Sequence, residues 1–194
     1  MSFRFAIILF IFLVPTVIDA QVRYLTLEPN HSTIGFEVSI ANGATRVAGQ
    51  FLEADMQIDY VDNDWTESSV LFTIDAKSIW TGIDGRDEHL RSEDFFDVAK
   101  FPEITFKSND IVSMGSNQYV ATGEFTMHGI TKVIELPFSE TYNSANTIGV
   151  SIRSTIDRVA FEVGHKFEHS DIPNFISEEI DVRIDFWTKR DKRR

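Results

Sequence analysis

From residue 31 onward the chain alternates apolar and polar positions in short runs, the period of strands that turn one face inward. Ile34, Phe36, Val38 and Ile40 interleave with Thr33, Gly35, Glu37 and Ser39. After a turn containing Gly43, a long strand carries Val47, Gly49 and Phe51, then Ala54, Met56, Ile58 and Tyr60. Its phase changes between Phe51 and Ala54, as a β-bulge would make it. Val70, Phe72, Ile74 and Ala76 make the third strand, and Ile104 with Phe106 the fourth. Further strands are expected over 119–127, 133–138, 148–156 and 180–186. Turn-forming residues separate them: Asp62-Asn63-Asp64, Gly115-Ser116-Asn117, His128-Gly129 and the run 143–146. About eight strands in a meander predict an all-β fold, an eight-stranded antiparallel, lipocalin-like barrel, because closure removes exposed sheet edges. A two-sheet sandwich is the alternative.

One stretch breaks the β pattern. Asp84 is placed to cap a first helical turn, with Asp87 three residues on and Glu88 favouring the positive end of the helix dipole. This predicts a short capping helix around 84–92, failing near Ser92. Phe95 and Phe96 follow where the chain turns, and Pro102 forbids more helix and pushes Phe101 towards an extended conformation. Ile104, Phe106 and Ser108 then return to strand period. A polar helix leading through two adjacent aromatics into a strand has the form of a plug over a cavity.

An eight-stranded barrel is just wide enough to pack its own side chains or to hold one slender ligand. The inward candidates therefore read in two ways. Phe36, Val38, Phe51, Met56, Ile58, Phe72, Ile74, Phe106, Phe125, Met127 and Ile152, joined by Phe95 and Phe96 from the plug, either pack on one another or line a ligand chamber. The second reading rests on the set: long strands, a plug, and a chain with 17 Phe.

Residues 1–20 do not join this pattern. Arg4 precedes ten unbroken apolar residues, Phe5 to Val14; Pro15 breaks the run, and Ala20 offers a small residue before Gln21. Ten residues cover about half a bilayer's hydrocarbon core, so a secretory signal peptide is expected and a membrane-spanning helix is not. A retained N-terminal anchor is the alternative. Periplasmic or secreted localisation follows from cleavage near Ala20. The remainder is expected to form one domain over 21–188, with 189–194 (KRDKRR) as a solvated basic tail. A net charge of −12 argues against nucleic acid, whose affinity comes largely from Lys and Arg on phosphates. Zero Cys excludes disulfides, thiolate chemistry and Cys-built zinc sites.

Several separated blocks resemble one family. Leu27-Glu28-Pro29-Asn30-His31-Ser32 with Gly35-Phe36 opens the likeness, and Arg46-Val47 with Gly49 and Phe51 follows. Arg86-Asp87-Glu88-His89-Leu90-Arg91-Ser92, then Asp94-Phe95-Phe96-Asp97, Phe101-Pro102 and Thr105-Phe106-Lys107-Ser108, form the most specific block. The run 123–131 (GEFTMHGIT), Asp157-Arg158 with Phe161 and Gly164, and Ser177-Glu178-Glu179-Ile180 complete it. In that order they resemble the YceI-like proteins, secreted lipocalin-shaped binders of polyisoprenoids, over essentially the whole chain after residue 20. The resemblance implies a helix-capped barrel with a polyprenyl chain or similar long-chain lipid inside, and frequent homodimers. Two positions depart from it. Many members carry His where Ile40 stands and an acidic residue where Ala160 stands, so polar contacts there are absent from this chain.

There is no G-x-S-x-G elbow, phosphate-cradling glycine loop or H-E-x-x-H. His165 and His169 have a spacing that would suit a metal on a helix, but their surroundings read as a solvated loop. His128 reads as a turn hydrogen-bonder, and Asn30-His31-Ser32 as an unused sequon. Arg86, His89 and Arg91 on the plug helix are the head-group candidates, since Arg suits phosphate; the alternative is that the arginines pair with neighbouring acids. The expectation is a non-enzymatic lipid binder with no required cofactor and with a bound polyisoprenoid, quinone, prenyl phosphate or fatty-acid derivative. A passing membrane contact and a homodimer are the other partners considered. A structural or interaction barrel with a packed aromatic core, and an enzyme acting on a lipid head group, are the alternatives.

Overall fold

Alternation along each strand gives the sheet one apolar face, and the sheet curls over that face until its first and last strands meet. The computed structural model describes residues 20–192. Its strands are β1 (Val22–Ile40), β2 (Thr45–Phe51), β3 (Ala54–Val61), β4 (Asp64–Asp75), β5 (Ile79–Trp80), β6 (Glu103–Gly115), β7 (Gln118–Met127), β8 (Ile130–Asn143), β9 (Ile148–Asp157) and β10 (Ile176–Arg190), with helix α1 (Asp84–Arg91) between β5 and β6. Pairing is antiparallel throughout, and β10 closes onto β1 from Leu25 opposite Arg190 to Ile40 opposite Ile176. Strands β2 and β3 occupy one position in the wall, because both pair with β1. The barrel thus has eight staves, as the strand pattern predicts.

The expected bulge between Phe51 and Ala54 is instead a break. Leu52 and Glu53 fall outside both strands, and the Leu52 N–H donates to the Ser78 carbonyl at 3.2 Å. The facing stretch of β1 shifts register against β10 between Glu28 and Thr33, at the same level of the barrel. Two boundaries also differ from expectation. β1 begins at Val22, with buried Arg23 holding an inward position beside Leu25 and Leu27; a charged residue in that phase hides the strand from a hydrophobicity pattern. β10 runs to Arg190, so Lys189 and Arg190 belong to the barrel, and Lys189 pairs with Glu28 at 3.1 Å. The expected signal peptide, residues 1–20, lies outside the described residues except for Ala20, as do 193–194.

Tight hairpins set the register. Asp62-Asn63, Ser116-Asn117 and His128-Gly129 each place two consecutive residues at positive φ, the type I′ geometry that matches strand twist. His128 does not act as the expected hydrogen-bonder: its ring stands 4.6 Å from that of Phe101, and its buried Nδ1 has no hydrogen-bond partner among the described residues.

The two barrel ends are closed differently. At the end of the β3–β4 and β6–β7 turns, buried Tyr60, Trp65 and Phe138 pack with Tyr119, centroids 5.0–6.3 Å apart. At the opposite end lie the β4–β6 connection, which carries α1, and the β9–β10 connection. Helix α1 is capped by Ile83 in extended conformation, not by Asp84, and no side chain accepts from its first turn. Asp87 works from inside the helix instead. It is 2 % exposed and accepts both the N–H (2.9 Å) and the hydroxyl of Thr81, tying the helix to the chain before it.

Candidate functional site: an apolar chamber under the plug

Inward side chains of all eight staves surround a cavity of about 470 Å³ whose walls are almost wholly apolar. That volume is within the range of small-molecule sites, roughly 300–1,000 Å³. Phe36, Val38, Phe51, Met56, Phe72, Ile74, Phe95, Phe96, Phe106, Phe125, Met127 and Ile152 all lie on its wall. Ile58 does not. It is fully buried one inward step beyond Met56, in the packed core towards Tyr60. Glycine is required at Gly123, where a Cβ would meet the Lys107 carbonyl oxygen at 2.3 Å and the Phe106 ring at 2.7 Å.

The plug is held by backbone-directed cations. Arg91 donates from Nε to the Lys77 carbonyl and from Nη2 to the Ile79 carbonyl, both at 2.7 Å, and does not reach the cavity wall. This corrects its place among the head-group candidates: its planar fork stitches the plug to the chain around β5. Arg86 lines the cavity, with Nε on the Thr81 hydroxyl (2.7 Å) and Nη2 on the Thr81 carbonyl (2.8 Å). His89 also lines it, its Nε2 3.0 Å from Asp94 and its ring against Phe95 and Phe167 at 5.0 and 5.8 Å. The arginines therefore do not pair with acids; they satisfy carbonyls and a hydroxyl.

Phe95 and Phe96 have separate surroundings. Phe95 is buried, 5 % exposed, and packs against Phe167 at 5.5 Å and over Gly164. Gly164 has φ +62°, and a Cβ there would meet the Phe95 ring at 2.5 Å, so only glycine fits. Phe96 is half-buried and meets Phe51 edge-on at 5.8 Å.

Several wall residues escape sequence reasoning. Arg158 is 7 % exposed and donates to four carbonyls, those of Ser177, Val163, Gly164 and Ile176, at 2.7–3.0 Å. Burial pushes its pKa down, and Glu178 and Asp157 work against that shift. It binds the β9–β10 connection to the start of β10, and that connection contributes Phe167 and Phe175 to the wall. Trp65 also lines the cavity. Its inward phase is out of step with Val70, Phe72 and Ile74, because register shifts opposite Tyr60 and the Val61 N–H turns to the Ser68 hydroxyl. Ile40 lies on the wall and Ala160 packs against the core, so both departures from the family pattern are apolar in place.

The loop histidines are engaged separately. His165 Nδ1 lies 2.7 Å from the Glu162 carbonyl, while the His169 ring stacks on Phe175 at 4.3 Å. Among the described residues no group of three or more His, Asp or Glu could hold a metal, and no helix is long and apolar enough to cross a membrane.

The fold agrees with that of known proteins. A family model for the YceI-like domain matches residues 25–187. The chain belongs to the YceI-like family. It is 32% identical over 121 residues to a UPF0312 protein of Vibrio cholerae, a stretch covering 62% of this chain and 64% of that relative's length. The crystal structure of BcnA from Burkholderia cenocepacia superposes with a TM-score of 0.75 at 22% identity, over 83% of this chain and 98% of BcnA. A polyisoprenoid binding domain from Saccharophagus degradans, implicated in plant cell wall breakdown, gives a TM-score of 0.69 at 18% identity, over 88% of this chain and all of that domain. These structures share the fold of a YceI-like barrel.

Proposed function

We propose that this YceI-like protein is an exported, non-enzymatic carrier that sequesters one long-chain isoprenoid-type lipid inside its barrel. The observation that carries this reading is the continuous apolar cavity, about 470 Å³, running from the plug into the barrel. The Saccharophagus degradans domain, described as polyisoprenoid binding, has the same fold and supports the ligand class. Residues 1–20 support export, with the chain starting near Gln21 after cleavage. An uncharged head group suits the plug better than a diphosphate, because Arg91 and Arg158 are turned to backbone carbonyls and Arg86 already gives Nε and Nη2 to Thr81.

The mechanism is passive. Each buried CH₂ gains roughly 0.8 kcal/mol relative to water, so the barrel holds its ligand firmly against the aqueous phase. Moving the same chain from a bilayer gains almost nothing, since lipid is as apolar as the cavity wall. Carriage therefore means storage or handover between membranes or proteins, with a brief membrane contact at loading. Native mass spectrometry and lipid extraction of the protein purified from exporting cells test the whole reading. The expected result is a chain beginning at or near Gln21 with a single prenyl-tailed lipid. A protein that emerges empty, or that turns over added prenyl diphosphate or quinone, favours the interaction-barrel or enzyme reading instead.

A further inference from the structure

The cavity has a floor, and Trp65 lies at its centre. Trp65 is 1 % exposed, near the start of β4, and with Phe138 forms the wall farthest from the plug. Tyr60 backs the indole at 5.0 Å and Phe138 flanks it at 5.1 Å, both edge-on. The indole Nε1–H donates to Glu140 Oε2 at 2.8 Å, and the Asn143 amide donates to the same oxygen at 3.0 Å. The Tyr60 hydroxyl donates to the Asn63 carbonyl at 2.9 Å, and the Arg23 guanidinium lies 4.7 Å over the Tyr60 ring. Beyond this layer is a separate polar recess lined by Arg23, Asn63, Asn143 and Arg190. A hydrocarbon tail meets an indole pinned at both its ring and its nitrogen, and past it finds a mostly polar recess that includes the Arg23 guanidinium. The tail has to stop there.

We propose that Trp65 is a specificity-determining residue that fixes the longest chain the barrel accepts. This rests on the lipid-binding reading given above. The scale follows from strand geometry. Successive inward positions lie about 6.6–6.8 Å apart along a strand. An isoprene unit adds four backbone bonds, against three for a residue that extends ~3.3–3.6 Å, and so adds about 4–5 Å. Moving the floor by one inward position changes the limit by one to two isoprene units, on the order of ~5–10 Å of chain. Ala121 is the natural place to raise it. It is 5 % exposed, lies on the cavity wall, and stands one inward step along β7 from Tyr119, which packs against Trp65.

The test is competitive loading of the purified full chain with an equimolar series of all-trans polyprenols, read by native mass spectrometry. A parallel series of n-alkanols is run alongside. Trp65→Leu is expected to raise the upper length limit by at least one isoprene unit, and Ala121→Leu to lower it by the same step. The two substitutions act in opposite directions, so if Trp65→Leu fails to fold, Ala121→Leu still decides the matter. An unchanged limit in folded Trp65→Leu, or in folded Ala121→Leu, overturns the proposal. If polyprenols fail to bind the unaltered chain while n-alkanols bind with a limit that the variants move, the floor stands and the isoprenoid reading falls. If neither series binds, both fall.

Discussion

At the scale of single residues, the barrel's sealed end depends on a neutral phenol. Tyr60 is 1 % exposed, and burial, reinforced by the nearby Glu140 carboxylate, pushes its pKa up to about 12. Its value in an unfolded chain is about 10. The folded state therefore holds the Tyr60 proton more tightly than the unfolded state does. The resulting stabilisation is whole below pH 10 and is lost as pH rises through 10 towards 12. Two units correspond to on the order of 2–3 kcal/mol. Urea titrations from pH 9 to 12 should show that loss in the unaltered protein and a shallower decline in Tyr60→Phe. At neutral pH the same variant should lose only about 1 kcal/mol, for the bond to the Asn63 carbonyl. An equally steep alkaline decline in Tyr60→Phe would assign the effect elsewhere. Residue by residue, the sequence is legible where side chains follow the strand phase, as ten of the wall residues from Phe36 to Ile152 do. It is silent where a charge takes an inward place, as Arg23 and Arg158 do, because hydrophobicity cannot see an arginine satisfied by carbonyls.

At the scale of elements, the plug is where pattern and structure part most clearly. The helix, its end near Ser92 and the return to strand after Pro102 all follow from local signals. Its cap does not, because the fixing bonds come from Asp87 back to Thr81 and from Arg91 across to Lys77 and Ile79, partners five or more residues away. The same holds for β2 and β3, whose break lies opposite the irregular stretch of β1 and is held by the Leu52 N–H on the distant Ser78 carbonyl. Within the plug the two adjacent phenylalanines should behave differently. Phe95 packs on Phe167 and over Gly164, whereas half-buried Phe96 touches Phe51 at the chamber. Phe95→Ala is expected to cost about 3–5 kcal/mol, as for a buried Phe. Phe96→Ala should cost less and mainly speed the release of bound lipid. Denaturant titrations and stopped-flow release of a fluorescent lipid separate the two effects. Equal and small changes in both would make the plug a surface feature with no hold on the ligand.

At the scale of the whole molecule, barrel topology was legible because eight alternating runs leave few ways to bury eight apolar faces without an open edge. Whether the interior is packed or hollow was not legible, since the same Phe and Met residues serve either state. Volume decides between them, and volume is a property of the closed barrel that no single strand carries. The cavity of about 470 Å³ makes a definite demand on substitutions that add bulk. Phe72 lies towards the plug end of β4, opposite Met56 and Phe106, with all three side chains on the cavity wall. In a solid core, enlarging it to Trp would overpack and cost about 1–3 kcal/mol. In this barrel Phe72→Trp should find space: stability of the lipid-free protein should stay within about 1 kcal/mol of the original, while the amount of lipid retained falls. The two quantities are measured on the same preparation, by urea titration after delipidation and by extraction before it. A loss of stability with undiminished lipid would mean that the interior is packed at this level and that any ligand lies elsewhere.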